Sequence, residues 1–150
     1  MKEYHKLIFV CIDNTCRSVM AEAVMKRVSR STGVQILSRG LVVLFPEPFN
    51  PKAVAILKGD GLEPSGSNTV LLTEADITDD TLILTMTQRE CRMAREKFGH
   101  EEDIYALGDY AGKPGDIEEP CGGSLADYGA CYEYIDLMVK LAAEKIRKQS

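Results

Sequence analysis

Near the start of the chain, the hydrophobic pattern changes from that of a strand to that of a helix. Residues 6–12, KLIFVCI, form a short apolar run rich in β-forming residues, as in a strand buried on both faces. From Arg17 onward, Met20, Val24 and Val28 recur at helical spacing, with charged residues on the other side. The pattern predicts a strand, a tight loop and a helix as the opening unit.

Strand and helix signals alternate through the rest of the chain. Residues 33–38 and 81–86 form two further apolar runs of strand length. Three predicted helices start at capping signals: Asn50 before Pro51, Thr87 with Glu90, and Ser124 with Asp127. Segment 108–123, rich in glycine, is predicted to be a loop. The alternation predicts an α/β fold, a parallel sheet flanked by helices on both faces, with ligands at the carboxyl ends of its strands.

The composition predicts one domain that spans residues 1–150. Of the 150 residues, 45% are hydrophobic, which is enough to bury one core. The formal net charge is -5 and no basic stripe is present, so we expect no nucleic-acid partner. The apolar run at residues 7–12 is too short for a membrane span and lacks the cleavage site of a secretory signal. We therefore expect no membrane partner.

The cysteines indicate a reducing compartment. Their number is odd and their spacings include no C-x-x-C pair for zinc: Cys11, Cys16, Cys91, Cys121 and Cys131. Together with the lack of an export signal, this favours reduced thiols and a cytoplasmic location. For Cys91 and Cys131, at predicted helix positions, a plain structural role is the preferred interpretation.

The loop after the first strand has the residue types of an anion site with a nucleophile. Backbone N–H groups of a loop that enters a helix make a concave anion site, reinforced by the helix N-terminus. This field is expected to lower the pKa of Cys11 from ~8.5 towards ~3.5–7.5. Arg17 can bind two oxygens of a tetrahedral anion, and Ser18 can donate to the thiolate. The alternative, that Cys11 is only a small buried residue ending a strand, leaves Arg17 unexplained.

The motif at residues 11–19, CIDNTCRSV, resembles the signature C-x-G-N-x-C-R-S-P of the low-molecular-weight protein tyrosine phosphatases. The resemblance covers nearly the whole chain. It includes SRG at 38–40, LILTMT at 82–87, EKFG at 96–99 and EEPCGGSLADY at 118–128. The family fold is a four-stranded parallel sheet with helices on both faces, which the resemblance implies here.

The resemblance also implies a mechanism, with phosphorylated protein side chains as substrates and phosphate or other oxyanions as ligands. Cys11 would attack phosphorus and form a phosphocysteine, and Glu119 would protonate the leaving group and then activate water. The implied phosphate-binding residues are Ile12, Asp13, Asn14, Thr15, Cys16, Arg17 and Ser18. Asn14 would brace the loop, Ser38 would support it from behind, and Cys16 could form a reversible disulfide with Cys11. No metal or organic cofactor is implied.

Several positions depart from the family pattern. Asp13 replaces Gly, which adds negative charge beside a site for a dianion, although Asp tolerates left-handed backbone. Glu119 replaces Asp and extends the carboxyl by one methylene, with Asp116 as a nearby alternative acid. The other departures are Val19 for Pro, Ser67 where many members have His, and Cys121 with Gly122 where aromatic residues often wall the pocket.

Thr15 is similar to the protein-arginine phosphatase branch, where a hydroxyl at this position can orient the attacking water. Phe45 or Phe49 could supply the missing aromatic wall of a phosphotyrosine pocket. Phosphotyrosine and phosphoarginine therefore both stay open as substrates.

Two other functions compete with the phosphatase. Asp13 and Glu119 allow a weakened family member that binds a phosphorylated or anionic partner without turning it over. An arsenate reductase on the same scaffold would need two further thiols in a relay, and the segment after the third strand offers only Cys91.

Overall fold

Four parallel strands form one sheet in the computed structural model, which describes residues 2–29, 33–120 and 122–149. They are β1 (Lys6–Cys11), β2 (Gln35–Gly40), β3 (Thr81–Thr85) and β4 (Ile104–Ala106), in the order β2-β1-β3-β4. β1 and β3 are almost entirely buried, as expected for parallel strands covered on both faces. The predicted α/β fold with a four-stranded parallel sheet is confirmed.

Within the described ranges, five α-helices cover the sheet: α1 (Arg17–Val28), α2 (Pro51–Gly59), α3 (Gln88–Phe98), α4 (Leu107–Tyr110) and α5 (Leu125–Gln149). Phe9 and Leu84 face one core, which also contains residues of α1, α2, α4 and α5. Ile8 and Ile83 face the other core, against Cys91 and other residues of α3. The alternation of side chains along the central strands thus builds two apolar layers.

The boundaries and short elements differ from the sequence-based predictions. β1 ends at Cys11 and not at residue 12, and β2 spans Gln35–Gly40 and not 33–38, because its register pairs Lys6 with Gln35 and Cys11 with Gly40. Segment 108–123 is not wholly a loop, since α4 runs into it as far as Tyr110. β4, only three residues long, was not predicted from the hydrophobic pattern.

The strand order places the first loop at the point where the direction of the chain across the sheet reverses. From β1 the chain passes to β2 on one side and later to β3 on the other, so a crevice opens beyond the carboxyl end of β1. At Gly40, a Cβ would lie 2.9 Å from the carbonyl carbon of Asp13 and 3.0 Å from Asn14 N. Only glycine therefore allows β2 to pack against the loop.

Candidate active site

The loop between β1 and α1 is held by backbone bonds from its neighbours. Leu41 N–H donates to the carbonyl of Cys11 (3.0 Å), and Val42 N–H donates to that of Ile12 (2.8 Å). Asn50 N–H donates to the carbonyl of Thr15 (2.9 Å). The first-turn N–H groups of an α-helix have no intrahelical partner. α1 starts at Arg17 without a side-chain cap on these groups, so they suit an anion.

Asn14 braces the loop from inside. It is 1% exposed and has a left-handed φ of 61°, a conformation that Asn tolerates. Its side-chain oxygen accepts the N–H of Val70 (2.9 Å), which orients the amide so that Nδ2 donates to Ser18 Oγ (2.8 Å) and Ser38 Oγ (3.0 Å). The left-handed conformation in the loop is thus adopted by Asn14. Asp13, at the position where the family has Gly, does not have a positive φ.

The thiol of Cys11 lies beside the hydroxyl of Ser18, with 3.1 Å between Sγ and Oγ. Both side chains are fully buried. Asn14 already donates to Ser18 Oγ, which leaves the hydroxyl proton free to point at the sulfur. Ser18 can therefore stabilise a thiolate on Cys11.

Burial raises the pKa of the Cys11 thiol above its ordinary value, while Arg17 and Ser18 lower it and Glu90 raises it. The predicted lowering of this pKa is therefore wrong, because the desolvation of a fully buried sulfur outweighs the nearby guanidinium and hydroxyl. These two groups still favour the charged form of the thiol that a nucleophile requires.

The Arg17 guanidinium is anchored at both terminal nitrogens. Nη1 donates to the carbonyl of Ile117 (2.9 Å), and Nη2 donates to Glu90 (2.8 Å) and to Glu119 (3.4 Å). The side chain is 3% exposed, yet its Nε–H has no hydrogen-bond partner among the described residues. A buried donor without a partner is costly, so this N–H is available to an anion in the loop.

Glu119 is the carboxylate of the 118–120 loop that reaches the site. Burial raises its pKa; Arg17 lowers it, whereas Asp13 and Glu90 raise it. Its side chain is 30% exposed, so it can exchange protons with solvent. Asp116, the alternative acid, instead accepts the backbone N–H of Gln88 (2.9 Å) at the start of α3.

The comparisons with known proteins agree with this geometry. The family model for "Low molecular weight phosphotyrosine protein phosphatase" matches residues 6–150. The chain belongs to that family. A low molecular weight protein-tyrosine-phosphatase PtpB of Staphylococcus haemolyticus is 32% identical over 130 residues, covering 87% of this chain and 91% of that protein. A protein-arginine-phosphatase of Bacillus subtilis is 32% identical over 149 residues, covering 95% and 97%.

A solved structure of the YwlE arginine phosphatase from Geobacillus stearothermophilus superposes with a TM-score of 0.87. It is 29% identical in sequence, and the match covers 97% of this chain and 94% of that one. The predicted family is therefore confirmed, and with it a cysteine-dependent phosphatase that acts on phosphorylated substrates. None of the helices in the described ranges is long and apolar enough to cross a membrane.

Within this phosphatase fold, Asp13 is bonded to its own loop. Asp13 Oδ1 accepts both the backbone N–H (3.1 Å) and the hydroxyl (2.9 Å) of Thr15. The hydroxyl proton of Thr15 is thereby occupied, which leaves the lone pairs of its oxygen for a donor from outside the loop. The Asp13 carboxylate is half-buried and lies close enough to Glu119 to raise the pKa of that residue.

The remaining thiols lie on both sides of the sheet. Cys16, the last residue of the loop between β1 and α1, is buried, and burial raises its pKa. Cys131 on α5 donates weakly to the carbonyl of Glu118 (3.9 Å), and burial raises its pKa to about 11. Cys91 instead packs in the α3 core, away from Cys11, which agrees with a structural role and offers no relay for arsenate reduction. Cys121 lies outside the described residues.

The two aromatic residues that could wall a substrate pocket, Phe45 and Phe49, differ in their exposure to solvent. Phe49 is buried in the core, whereas Phe45 is 67% exposed and Leu44 beside it 89% exposed. Of the two, Phe45 therefore has the exposed ring that an aromatic pocket wall would need. Val19, in place of the family's Pro, is buried in the first turn of α1.

Sequence reasoning missed Glu90 as a partner of Arg17, as well as the carbonyl of Ile117 and the N–H of Val70. Of these, Glu90 alone had a signal in the sequence, its capping-box spacing from Thr87. That spacing predicts the helix start but says nothing of a guanidinium 73 positions earlier.

Proposed function

We propose that this chain is a protein phosphatase that hydrolyses phosphoarginine or phosphotyrosine through a phosphocysteine on Cys11. The observation that carries the proposal is the arrangement of Cys11 and Arg17. The thiol is bonded to Ser18 at one side of the loop, and the buried guanidinium has an Nε–H with no partner among the described residues. Phosphate oxygens would bond this N–H and the first-turn N–H groups of α1.

The reaction then proceeds in two steps. The Cys11 thiolate attacks phosphorus, the S–P bond forms, and the bond to the side-chain oxygen or nitrogen breaks as Glu119 donates a proton to the leaving group. In the second step Glu119 takes a proton from water, which attacks phosphorus. The S–P bond breaks, phosphate leaves, and Ser18 stabilises the returning thiolate.

Two observations support phosphoarginine as the preferred substrate. Thr15 presents oxygen lone pairs, since its proton is bound by Asp13, and a phosphorylated guanidinium offers N–H donors that a phenyl ring lacks. Asp13 and Glu119 also place negative charge at the opening, where a cationic leaving group would form. Relatives of both kinds, tyrosine and arginine phosphatases, match the chain.

The other loop residues are proposed to act as the sequence indicates. Ile12, Asp13, Asn14, Thr15, Cys16, Arg17 and Ser18 form the phosphate loop, and Ser38 supports it through Asn14. A reversible disulfide between Cys11 and Cys16 stays a prediction. A thiol nucleophile works only while reduced, which supports the expected cytoplasmic location.

The test compares the reduced protein on a phosphoarginine peptide and a phosphotyrosine peptide of the same sequence context, with Cys11→Ser alongside. We expect turnover that disappears in Cys11→Ser and a higher kcat/KM for phosphoarginine. Turnover that survives in Cys11→Ser would exclude the mechanism. Binding without turnover in the native chain, with turnover appearing in Asp13→Gly, would instead identify a binding protein.

A further inference from the structure

Glu90 forms a capping box at the start of α3 that is buried to an unusual degree. Thr87 Oγ1 accepts the N–H of Glu90 (3.1 Å), and Glu90 Oε1 accepts the N–H groups of Thr87 (3.0 Å) and Met86 (3.1 Å). A capping box needs only this exchange of bonds, and glutamate is almost never fully buried unless it is paired. Here the Glu90 side chain is 2% exposed.

The second oxygen of the same carboxylate bonds the active-site arginine. Glu90 Oε2 accepts Arg17 Nη2 at 2.8 Å, between two side chains that are 2% and 3% exposed. A charge taken so far from water is tolerated only when its bonding capacity is filled. Glu90 meets this condition with three donors, one of which is the guanidinium.

The guanidinium is planar, so anchors on its two terminal nitrogens determine the direction of its Nε–H. Ile117 O binds Nη1 and Glu90 Oε2 binds Nη2, while Nε has no hydrogen-bond partner in the part of the chain that the structure describes. The contact of Arg17 with Glu119 is longer, at 3.4 Å, and Glu119 is partly exposed. Glu90 is therefore the firm carboxylate anchor, and Glu119 can leave when substrate enters.

We propose that Glu90 is a positioning residue for the reaction: it holds Arg17 in the orientation that bonds the transferring phosphoryl group. The proposal rests on the proposed function of Cys11 and Arg17. By this account the carboxylate links the end of β3 and the start of α3 to the phosphate loop. It aligns Arg17 for the transition state, where the equatorial oxygens have their greatest need of donors.

The negative charge of Glu90 has a second, separable effect. It offsets part of the positive charge of Arg17, and it raises the pKa of the Cys11 thiol. Removing the charge while keeping the shape should therefore lower the Cys11 pKa and yet slow the reaction. Replacing a residue that acts only as a helix cap would neither lower the Cys11 pKa nor slow the reaction.

The experiment uses Glu90→Gln, Glu90→Asp and Thr87→Ala in the full chain. Gln can still accept the Met86 and Thr87 N–H groups but turns an amide donor towards Arg17. Asp keeps the charge but withdraws it by one methylene. Thr87→Ala weakens the same cap without changing any group that bonds Arg17.

Four measurements are made on each variant: Tm, the kinetic constants kcat and KM, the pH dependence of iodoacetamide alkylation at Cys11 located by mass spectrometry, and protection of Cys11 by vanadate and by phosphate. The last two need no turnover. A failure of the proposed function, seen in the native chain and Cys11→Ser, is therefore distinguishable from a failure of this inference.

For Glu90→Gln we expect kcat to fall roughly 10- to 100-fold, as for a misplaced catalytic group. The alkylation midpoint should move to lower pH, and protection by vanadate, which mimics the five-coordinate transition state, should weaken more than protection by phosphate. Glu90→Asp should lower kcat without the shift in alkylation. Thr87→Ala should lower Tm alone. Folded Glu90 variants with the native alkylation profile and the native ratio of vanadate to phosphate protection would overturn the proposal, as would loss of the fold in both.

Discussion

Ser18 Oγ lies 3.1 Å from Cys11 Sγ, in the first turn of the helix that follows the loop of the nucleophile. Because Asn14 donates to the same hydroxyl, the proton of Ser18 is free to bond the sulfur. One local segment of the chain thus contains both the proposed nucleophile and the donor that would stabilise its thiolate.

Replacing Ser18 with Ala should therefore raise the pKa of Cys11, since Ser18 lowers it. The nucleophile is active as thiolate, so the acidic limb of the kcat/KM profile should move to higher pH. A hydrogen bond to a charged group contributes about 1.5–3 kcal/mol, which corresponds to a loss of kcat of roughly 10- to 100-fold. Ser38→Ala, which removes only a bond to Asn14, is the control. Equal pH profiles for native protein and Ser18→Ala would contradict the expected role.

Replacing Asp13 with Asn should tighten the binding of phosphate. Asn keeps an oxygen for the N–H and hydroxyl of Thr15 but removes the charge beside the anion site. Two like charges ~6 Å apart repel by roughly 3 kcal/mol at an effective dielectric of ~20, and solvent at this half-buried position reduces that value. We expect the inhibition constant of phosphate to fall roughly 3- to 10-fold. If Asp13→Gly shows the gain and Asp13→Asn does not, backbone shape and not charge is responsible.

Glu119→Gln should remove the alkaline limb of the pH profile. A general acid works only while protonated, and burial raises the pKa of Glu119, so the native limb should lie at higher pH than for an exposed glutamate. Loss of the acid should lower kcat by about 10²- to 10⁴-fold on peptide substrates. With p-nitrophenyl phosphate, whose leaving group needs no proton, the loss should be smaller. An equal loss on both substrates would argue against a role as acid.

The same pH profile tests the electrostatic interaction between the carboxylates of Asp13 and Glu119. Asp13 raises the pKa of Glu119, so Asp13→Asn should lower it and move the alkaline limb to lower pH. An unchanged limb would show that the Asp13 charge does not reach Glu119.

Asn14→Ala should destabilise the fold. The change leaves the N–H of Val70 without its acceptor. It also places alanine, which has a Cβ but no polar side-chain atom, at a φ of 61°. We expect the free energy of unfolding in urea to fall by about 2–4 kcal/mol. Asn14→Gly loses the same hydrogen bonds without the backbone strain, so it should be about 1 kcal/mol more stable than Asn14→Ala. Equal stabilities would place the whole effect in the hydrogen bonds.

The amino-acid sequence by itself determined the opening unit and the family. The apolar run, the loop with Cys11 and Arg17, and the helical spacing after it are local features. Local propensity and burial are sufficient to specify them. The capping signals at Asn50 and Thr87 also marked helix starts that the structure contains, because each depends on residues within one turn. The three residues of β4 were too few for a periodic pattern.

Only the tertiary structure decided how Arg17 is held and how Cys11 is charged. Arg17 meets Glu90 and the carbonyl of Ile117 because β1 and β3 are neighbours in the sheet, a pairing between distant parts of the chain that no local spacing encodes. The pKa of Cys11 likewise depends on how completely the surrounding layers exclude water from its sulfur. Pairing across the sheet and exclusion of water arise only when the whole chain has packed, and these set the charge and orientation of the site.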